Sequence, residues 1–402
     1  MRRSASLVKI VVTLVALVLV LVPGSSAWNG AAAQERQPAA QDPPQLRAAS
    51  WALVDANTGI YLAGKNPDER LSIASTTKIM VALLTLEDKA DLNEEVAITP
   101  QAERFVGSVY SNAGLIQGER LSIRELLEAA LIPSATEADY TLAQHLGGGS
   151  VEAFVEQMNH KADSMGLKNT HFENPAGLDQ RGHYSSAKDL ATIARAAMKY
   201  PVFDDIVNTE QTTITTQNRA IALTNTNNLL YIYPPADGVK TGTSPAAGPC
   251  LVASAKQGDE SYIVVVLDAA GEQYRFEAAR TALEYAFKTY DRAPLVRKGA
   301  VYKEIHPPYR RDESVGLVAA KDVPGPSGPG LKVERRVTLR EELPPSAKAG
   351  QQLGSVEVVV NGKRVGSSPL VTKRGYQEAS LWQKAQYAAM WPADRLWAWF
   401  LG

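Results

Sequence analysis

The 402-residue chain exceeds one ordinary domain of about 150 residues, and its 45% hydrophobic and 21% charged residues are typical of a globular protein. A formal net charge of −1 gives no reason to expect a nucleic-acid partner. The single cysteine, Cys250, excludes an intramolecular disulfide, and we expect it to be a buried core residue of a strand. No Cys/His cluster has metal-ligand spacing, so we expect no metal and no cofactor.

The first 33 residues have the pattern of a secretory signal. Basic residues near the start precede an apolar run from Ile10 to Val22, and small residues follow it. The run is short for a membrane span, so we favour a cleaved signal over an uncleaved anchor, and both imply export. Residues 34–47 are polar and Pro-rich, which predicts a flexible linker.

Residues 48–290 predict a hairpin, then helices, then strands, then a last helix. The early strands lie near Ser50–Val54 and from Ile60, and a helix begins near Ser75. Residues 91–165 are predicted to be mostly helical. The other predicted helices and strands are Leu121–Leu131, a helix ending at Leu146, Val151–Met165, Asp189–Met198, Thr212–Thr215, Gly238–Thr243, Cys250–Ala255, Ser261–Leu267 and Phe276–Phe287. Early and late strands can join one antiparallel sheet with helices on both sides.

Two further segments follow this region. Residues 299–375 carry short strand signals, including Val356–Val360 with Asn361-Gly362 as a hairpin turn, and predict a small β domain. Within it, Pro324–Gly330 is predicted to be a loop. Residues 376–402 hold four of the six tryptophans and are broken by a proline, so we expect an amphipathic piece lying at a membrane interface.

A serine and a lysine at helical spacing form the first candidate catalytic pair. Ser75 and Lys78 lie where a loop turns into an apolar helix, and positions i and i+3 of a helix share a face. A serine hydroxyl needs a neighbouring base to become a nucleophile, and a lysine amine can be that base when burial or a second cation lowers its pKa.

The same Ser-x-x-Lys spacing recurs twice. Ser6-Leu-Val-Lys9 lies in the predicted signal. Ser185-Ser-Ala-Lys188 precedes a predicted helix, where Ser185 or Ser186 is better explained as an N-cap and the lysine as an exposed residue of the first turn. Only Ser75 therefore remains as a candidate nucleophile.

Two downstream elements can complete a site around Ser75. Lys240-Thr241-Gly242-Thr243 lies on a predicted strand, where the amine and hydroxyls can bind a carboxylate and Gly242 allows close backbone approach. The Thr243 N–H can face an oxyanion. Ser134 lies on a loop between two predicted helices, so its hydroxyl can reach into a cleft.

The order Ser-x-x-Lys, Ser-x-x, Lys-Thr-Gly resembles that of the serine penicillin-recognising superfamily. More narrowly, residues 46–290 resemble D-alanyl-D-alanine carboxypeptidases, the low-molecular-mass penicillin-binding proteins. The stretches that carry the resemblance are Ala74–Met80, Asn174–Leu178, Gly182–Ser186 and Asp237–Gly242. It implies an α/β (α+β) penicillin-binding/β-lactamase-like fold, an antiparallel sheet flanked by helices, followed by a small all-β domain and a C-terminal amphipathic helix.

The resemblance also implies roles for the catalytic residues. Ser75 would attack the carbonyl of the penultimate D-Ala of a peptidoglycan stem peptide, on the outer face of the bacterial cell membrane. Lys78 would be its general base, and Ser134 would relay a proton to the departing D-Ala. β-Lactams, which mimic D-Ala-D-Ala, would acylate Ser75 and inhibit the enzyme.

Further roles concern the substrate. Lys240 would position the relay and keep Lys78 deprotonated by cation–cation repulsion. Thr241 and Thr243 would help to bind the terminal carboxylate beside Gly242, and the oxyanion would lie between the N–H groups of residues 75 and 243.

The middle motif departs from the family pattern. The family usually has Ser-x-Asn, whereas this chain has Ser134-Ala135-Thr136. A threonine hydroxyl offers one donor on a shorter side chain, whereas an asparagine amide offers two donors and an acceptor. We therefore predict that Thr136 contacts the substrate, that acylation survives and that substrate preference is altered.

Three alternatives stay open at this point. A secreted serine β-lactamase shares the motifs but needs a deacylating base, and Glu173 lacks the Glu-x-x-x-Asn context expected of one. A non-catalytic wall-binding relative would be disfavoured by the intact Ser75 and Lys78. A D,D-endopeptidase or transpeptidase acting on cross-linked wall would use the same residues.

Overall fold

A computed structural model describes residues 42–88 and 91–389. The predicted signal and three of the four tail tryptophans lie outside these residues. The strands are β1 Ala48–Asp55, β2 Tyr61–Lys65, β3 Glu95–Ala97, β4 Arg120–Ser122, β5 Gln211–Thr215, β6 Ala220–Thr224, β7 Ala236–Ser244, β8 Gly248–Gln257, β9 Glu260–Ala269, β10 Asp291–Val296, β11 Val301–Ile305, β12 Val315–Ala319, β13 Val323–Ser327, β14 Val333–Leu339, β15 Gln352–Val360 and β16 Lys363–Thr372. The helices are α1 Lys78–Glu87, α2 Pro100–Glu103, α3 Ile123–Leu131, α4 Thr136–Leu146, α5 Val151–Ser164, α6 Ala187–Ala197, α7 Pro201–Asn208, α8 Leu229–Ile232 and α9 Tyr274–Thr289.

A five-stranded antiparallel sheet organises the α/β region, which we define as β1 to α9. Its strand order is β2-β1-β9-β8-β7, so the predicted union of early and late strands is confirmed. Side chains alternate between the faces of a strand. Trp51 and Leu53 pack into the apolar cluster beneath α9, whereas Ala52 and Val54 pack into the cluster that holds α1 and α6. Both faces are therefore covered, which is why β1 has no polar face.

Two predictions for the α/β region were wrong in detail. Residues 91–122 are not mostly helical: they form the ribbon β3–β4, the short α2 and a long connection. The predicted strand at Thr212–Thr215 does form, but it pairs with β6 in a separate hairpin and does not join the central sheet. Residues 107–118 are polar and glycine-rich and give no apolar helical face, which is why this part of the chain does not form a helix.

The β region, which we define as β10 to β16, contains a second five-stranded antiparallel sheet of order β11-β12-β16-β15-β14. The predicted hairpin turn is confirmed, since Asn361 and Gly362 join β15 to β16 with positive φ angles of 48° and 80°. Pro324–Gly330 was predicted to be a loop, but its first residues belong to β13, which pairs only with β10. Prolines are tolerated there because β13 lies at a sheet edge.

A helix follows the β region at the end of the described chain. Tyr376 is buried in the core of that region, and residues 381–389 are helical. Leu381 and Trp382 expose 86% and 71% of their surface. Within residues 42–88 and 91–389, no helix is both long and apolar enough to cross a bilayer.

Candidate active site

Ser75 lies in the 3₁₀ turn Ala74–Thr77, directly before α1. The turn is fixed by its own threonines: Thr76 Oγ1 donates to the Ile73 carbonyl at 2.7 Å, and Thr77 Oγ1 donates to the Ala74 carbonyl at 2.9 Å. Ser75 is partly exposed, and its hydroxyl forms no hydrogen bond with another described residue. The candidate nucleophile is therefore held by its backbone while its side chain remains open to a substrate.

Lys78 is fully buried at the first position of α1. Its Nζ donates to the Ser134 carbonyl at 2.7 Å and lies 2.6 Å from Asp139 Oδ2. The first and second sequence motifs thus meet at one amine. The ion pair between Lys78 and Asp139 was not predicted from the sequence.

Ser134 and Thr136 flank the start of α4. Ser134 adopts a positive φ of 69°, which is uncommon for a residue other than glycine, and its buried Oγ has no protein partner among the described residues. Thr136 is 3% exposed, and its backbone N–H donates to the Ser111 carbonyl at 2.9 Å. The Ser134 carbonyl thus contacts Lys78, while the Ser134 hydroxyl has no partner among the described residues.

The Lys-Thr-Gly segment lies on β7, the edge strand of the central sheet, against the turn that carries Ser75. A Cβ atom at Gly242 would lie 3.0 Å from the Ser75 backbone nitrogen, so a larger residue would require the Ser75 turn to shift by a few tenths of an ångström. Lys240 is 1% exposed, and burial, followed by the charge of Lys78, holds its pKa well below the usual range. Thr241 is buried and Thr243 is exposed.

Arg275, from α9, contacts the same segment and was missed in the sequence. Its Nη1 donates to Thr243 Oγ1 at 2.7 Å and to the Gly242 carbonyl at 3.1 Å. The helix periodicity places position 275 on the buried face of α9, but a lone arginine there gives no signal that it reaches across to β7. Its guanidinium adds positive charge beside the predicted carboxylate site.

A loop after α5 supports the Ser75 turn from behind. His183 Nδ1 accepts the Glu173 N–H at 3.1 Å, so Nε2 carries the proton and donates to Thr77 Oγ1 at 2.8 Å. Burial lowers the pKa of His183 to about 4, which keeps the ring neutral for this arrangement. At Gly177, φ is +79° and a Cβ would lie 1.8 Å from the Ala74 carbonyl oxygen, so the loop needs glycine there.

A family model described as D-alanyl-D-alanine carboxypeptidase matches residues 36–271, more than half of the chain. The chain belongs to the D-alanyl-D-alanine carboxypeptidase family. A second model, described as the C-terminal domain of penicillin-binding protein 5, matches residues 290–378. The sequence-based prediction of a serine carboxypeptidase, a low-molecular-mass penicillin-binding protein that acts on the cell wall, is confirmed.

Several known proteins are similar over much of this carboxypeptidase. The D-alanyl-D-alanine carboxypeptidase DacF of Bacillus subtilis (strain 168) is 32% identical over 340 residues, covering 83% of this chain and 86% of the relative. The crystal structure of penicillin-binding protein 5 from Haemophilus influenzae has a TM-score of 0.67 at 30% identity, covering 84% of this chain and all of that one. The D-alanyl-D-alanine endopeptidase of Escherichia coli (strain K12) is 32% identical over 243 residues, 59% of this chain and 76% of the relative.

The rival motifs take structural places in the carboxypeptidase. The Ser186 side chain accepts the Asp189 N–H and caps α6, as predicted, and Lys188 is exposed. The Glu173 carboxylate lies 3.3 Å from His171 Nε2, which gives it a partner other than Ser75. Cys250 is buried on β8, as predicted, and burial raises the pKa of its thiol to about 12, so it is not a reactive thiolate.

Proposed function

We propose that this carboxypeptidase releases the terminal D-Ala of peptidoglycan stem peptides through an acyl-enzyme on Ser75. The observation that carries the proposal is that the three sequence motifs lie next to one another in the fold. Lys78 contacts the Ser134 loop at 2.7 Å, while Gly242 approaches the backbone of Ser75. The residues proposed as base, relay and carboxylate-binding strand are thus neighbours of Ser75, whose side chain is partly exposed.

These positions support the following reaction. Ser75 Oγ attacks the carbonyl carbon of the penultimate D-Ala as its proton passes to the Lys78 amine. The oxyanion forms between the N–H groups of Ser75 and Thr243. The carbon–nitrogen bond breaks as Ser134 Oγ passes a proton to the departing D-Ala nitrogen and receives in its place the proton that Lys78 took from Ser75. Water then attacks the ester carbonyl, which releases the shortened peptide and restores the Ser75 hydroxyl.

Substrate binding is proposed along β7. Its free edge can pair with an extended peptide, as edge strands of other sheets do. Lys240, Thr241 and Thr243 would then hold the terminal carboxylate, with Arg275 fixing the Thr243 hydroxyl at 2.7 Å. Thr136 is proposed to contact the substrate amide more weakly than an asparagine would, because its hydroxyl is a single donor.

Variants of two serines test the nucleophile. Ser75→Ala should lose D-Ala release from a D-Ala-D-Ala peptide and lose covalent labelling by a fluorescent penicillin. Ser185→Ala is the matched control, because that serine has the same spacing to a lysine and bonds to Thr170 instead, at 2.8 Å. Equal D-Ala release from Ser75→Ala and the unmodified protein would refute the assignment of Ser75 as the nucleophile.

Thr136→Asn tests the proposed contact of Thr136 with the substrate. If both turnover and acylation by penicillin were unchanged in this variant, that role of Thr136 would be refuted.

Endopeptidase activity is the second candidate, favoured by the similarity to the Escherichia coli endopeptidase. Both activities use the same acyl-enzyme, so the cleaved amide alone distinguishes them. Purified protein should release D-Ala from free pentapeptides faster than it opens cross-linked muropeptides. The reverse ratio would make it an endopeptidase.

We also propose that residues 376–402 bind the outer surface of the cell membrane. Within this segment, Leu381 and Trp382 have highly exposed apolar side chains, and tryptophan favours the membrane interface. Flotation with anionic liposomes should require these residues. Equal flotation of the full chain and of a chain ending at residue 375 would contradict the proposal.

A further inference from the structure

Asp139 is the acidic partner of the catalytic lysine. Its Oδ2 lies 2.6 Å from Lys78 Nζ, and neither side chain is exposed. Its second oxygen, Oδ1, has no hydrogen-bond partner among the described residues. The mechanism proposed above gives this carboxylate no role, although it is the closest charged group to the base.

A carboxylate in this position opposes the function of a general base. An amine removes a proton from serine only in its uncharged form, whereas an anion in contact with it favours the ammonium form. Because both side chains are buried, salt and water screen this attraction much less than they would at the surface. The Ser134 carbonyl, at 2.7 Å, also accepts a hydrogen bond from the same Nζ. In its protonated form, Lys78 is therefore tied to α4 and to the Ser134 loop.

Other charged and titratable groups face the pair. Lys240, from β7, favours ionisation of Asp139, whereas Glu137, on α4 itself, opposes it. The Glu137 carboxylate accepts the Ala113 N–H at 2.6 Å, and the charge of Asp139 also acts on the neighbouring Tyr140. Burial is the largest influence and raises the pKa of Asp139 to about 6.

We propose that Asp139 is a positioning residue that sets the pH range in which Lys78 can activate Ser75. It retains a proton on the lysine–aspartate pair, and Ser75 becomes reactive only when that proton has left for bulk water. The N–H bond of the ammonium breaks, and the amine formed then takes the Ser75 hydroxyl proton as Oγ bonds to the substrate carbonyl. This inference rests on the proposed role of Lys78 as general base.

The inference predicts a change in a pH profile. Asp139→Asn keeps the shape of the side chain and removes its charge, so Lys78 faces Lys240 without a compensating anion. The pH of half-maximal acylation on the acidic side should then fall by about one unit or more, the usual influence of a contacting opposite charge. An aspartate that only stabilised the fold would change the rate equally at every pH.

The experiment measures the rate constant for acylation by a fluorescent penicillin between about pH 4.5 and about pH 9, the range in which a catalytic base is titrated. Thr141→Val is the matched control, because Thr141 is buried on the same helix and its hydroxyl donates to the Glu137 carbonyl at 2.8 Å. The control should keep the midpoint of the unmodified enzyme. Asp139→Ala also removes the charge, so its pH of half-maximal acylation should shift in the same direction as that of Asp139→Asn. It serves as the test variant if Asp139→Asn does not fold.

The outcomes separate the two proposals. If the unmodified protein is not acylated, or if Lys78→Ala keeps its full rate and pH profile, the proposed function is wrong. If acylation depends on Lys78 but both Asp139 variants keep the original midpoint, or lose rate uniformly across the pH range, the inference about Asp139 alone is overturned. A midpoint lowered in the Asp139 variants and unmoved in Thr141→Val supports it.

Discussion

Lys78 and Asp139, in the α/β region, form a 2.6 Å ion pair with no exposed surface on either side chain. Arg364 and Glu357, in the β region, also form an ion pair, but 65% and 35% of these side chains remain exposed. Removing one member of the buried pair leaves the other charge buried without its partner, whereas the exposed pair is hydrated whether or not it forms. We therefore expect the charges at the candidate site to affect the stability of the α/β region more than the charges of the exposed pair affect the β region.

The largest effect is expected when the buried pair is broken from one side. Lys78→Met leaves Asp139 without its partner, and the free energy of unfolding in urea at pH 8 should fall by about 3 kcal/mol. The double variant Lys78→Met/Asp139→Leu should recover most of this loss, because neither member of the pair is then left buried without its partner. If Lys78→Met were as stable as the original protein, the buried pair would contribute no more to stability than the exposed one.

The same variant has a definite pH dependence. Burial already raises the pKa of Asp139 to about 6, and loss of Lys78 raises it further. A carboxyl group whose pKa is higher in the folded than in the unfolded state destabilises the fold above that pKa and ceases to do so when protonated. The stability deficit of Lys78→Met should therefore shrink from pH 8 to pH 5.

A smaller effect is expected at Glu119, whose side chain is 1% exposed although its partner Arg219 is 43% exposed. Hydrogen bonds from Arg219 are the main cause that lowers the pKa of Glu119 from 4.5 to about 2. Because the folded-state pKa is the lower one, the stabilisation is present above pH 4.5 and is lost as the pH falls towards 2.

Glu119→Gln should therefore lower the free energy of unfolding at pH 7 by about 2 kcal/mol, a value reduced for the solvent around Arg219. The difference from the original protein should narrow as the pH falls from 4.5 towards 2. Glu95→Gln is the control, because its pair with Arg120 leaves 64% of the glutamate side chain exposed. A difference that stays constant with pH would show that the glutamate acts through packing and not through its charge.

Sequence patterns predicted the elements that depend on local chemistry. The Asn361-Gly362 turn, the Ser186 cap and the helix break before α4 were all found because turn and cap residues act on their own neighbours. The motifs around Ser75 were found because their residue types and order are distinctive. The assignment of β5 and β6 to a separate hairpin was missed, since pairing partners are set by tertiary contacts.

The residues missed at the site share one physical feature. Asp139 lies in the first turns of α4, where an acidic residue is ordinarily explained by the helix dipole. Its contact with Lys78 depends on how α4 packs beside α1, and the contact of Arg275 with Thr243 depends on how α9 crosses the sheet. Side chains that act across elements carry no local signal in a single sequence.

The next effect in size concerns Arg275. Lys at this position keeps the charge but cannot contact both Thr243 Oγ1 and the Gly242 carbonyl in the same geometry. Arg275→Lys should lower kcat/KM for D-Ala release about tenfold, mainly by raising KM. Arg280→Lys is the control, since that arginine lies on the same helix and pairs with Glu284 at the surface. An unchanged KM with a lowered kcat would place Arg275 in the chemical step instead.

The smallest effect on stability is expected for the exposed pair of Arg364 and Glu357 in the β region. Arg364→Met removes the pair with Glu357, and the free energy of unfolding should change by less than about 0.5 kcal/mol, with little dependence on salt. The adjacent Lys363 must be kept, because its Nζ donates to the Gly59 carbonyl at 2.8 Å and so joins the β region to the α/β region. A salt-sensitive loss above about 1 kcal/mol would mean that exposed charges also hold the β region together, because an isolated surface pair does not supply that much.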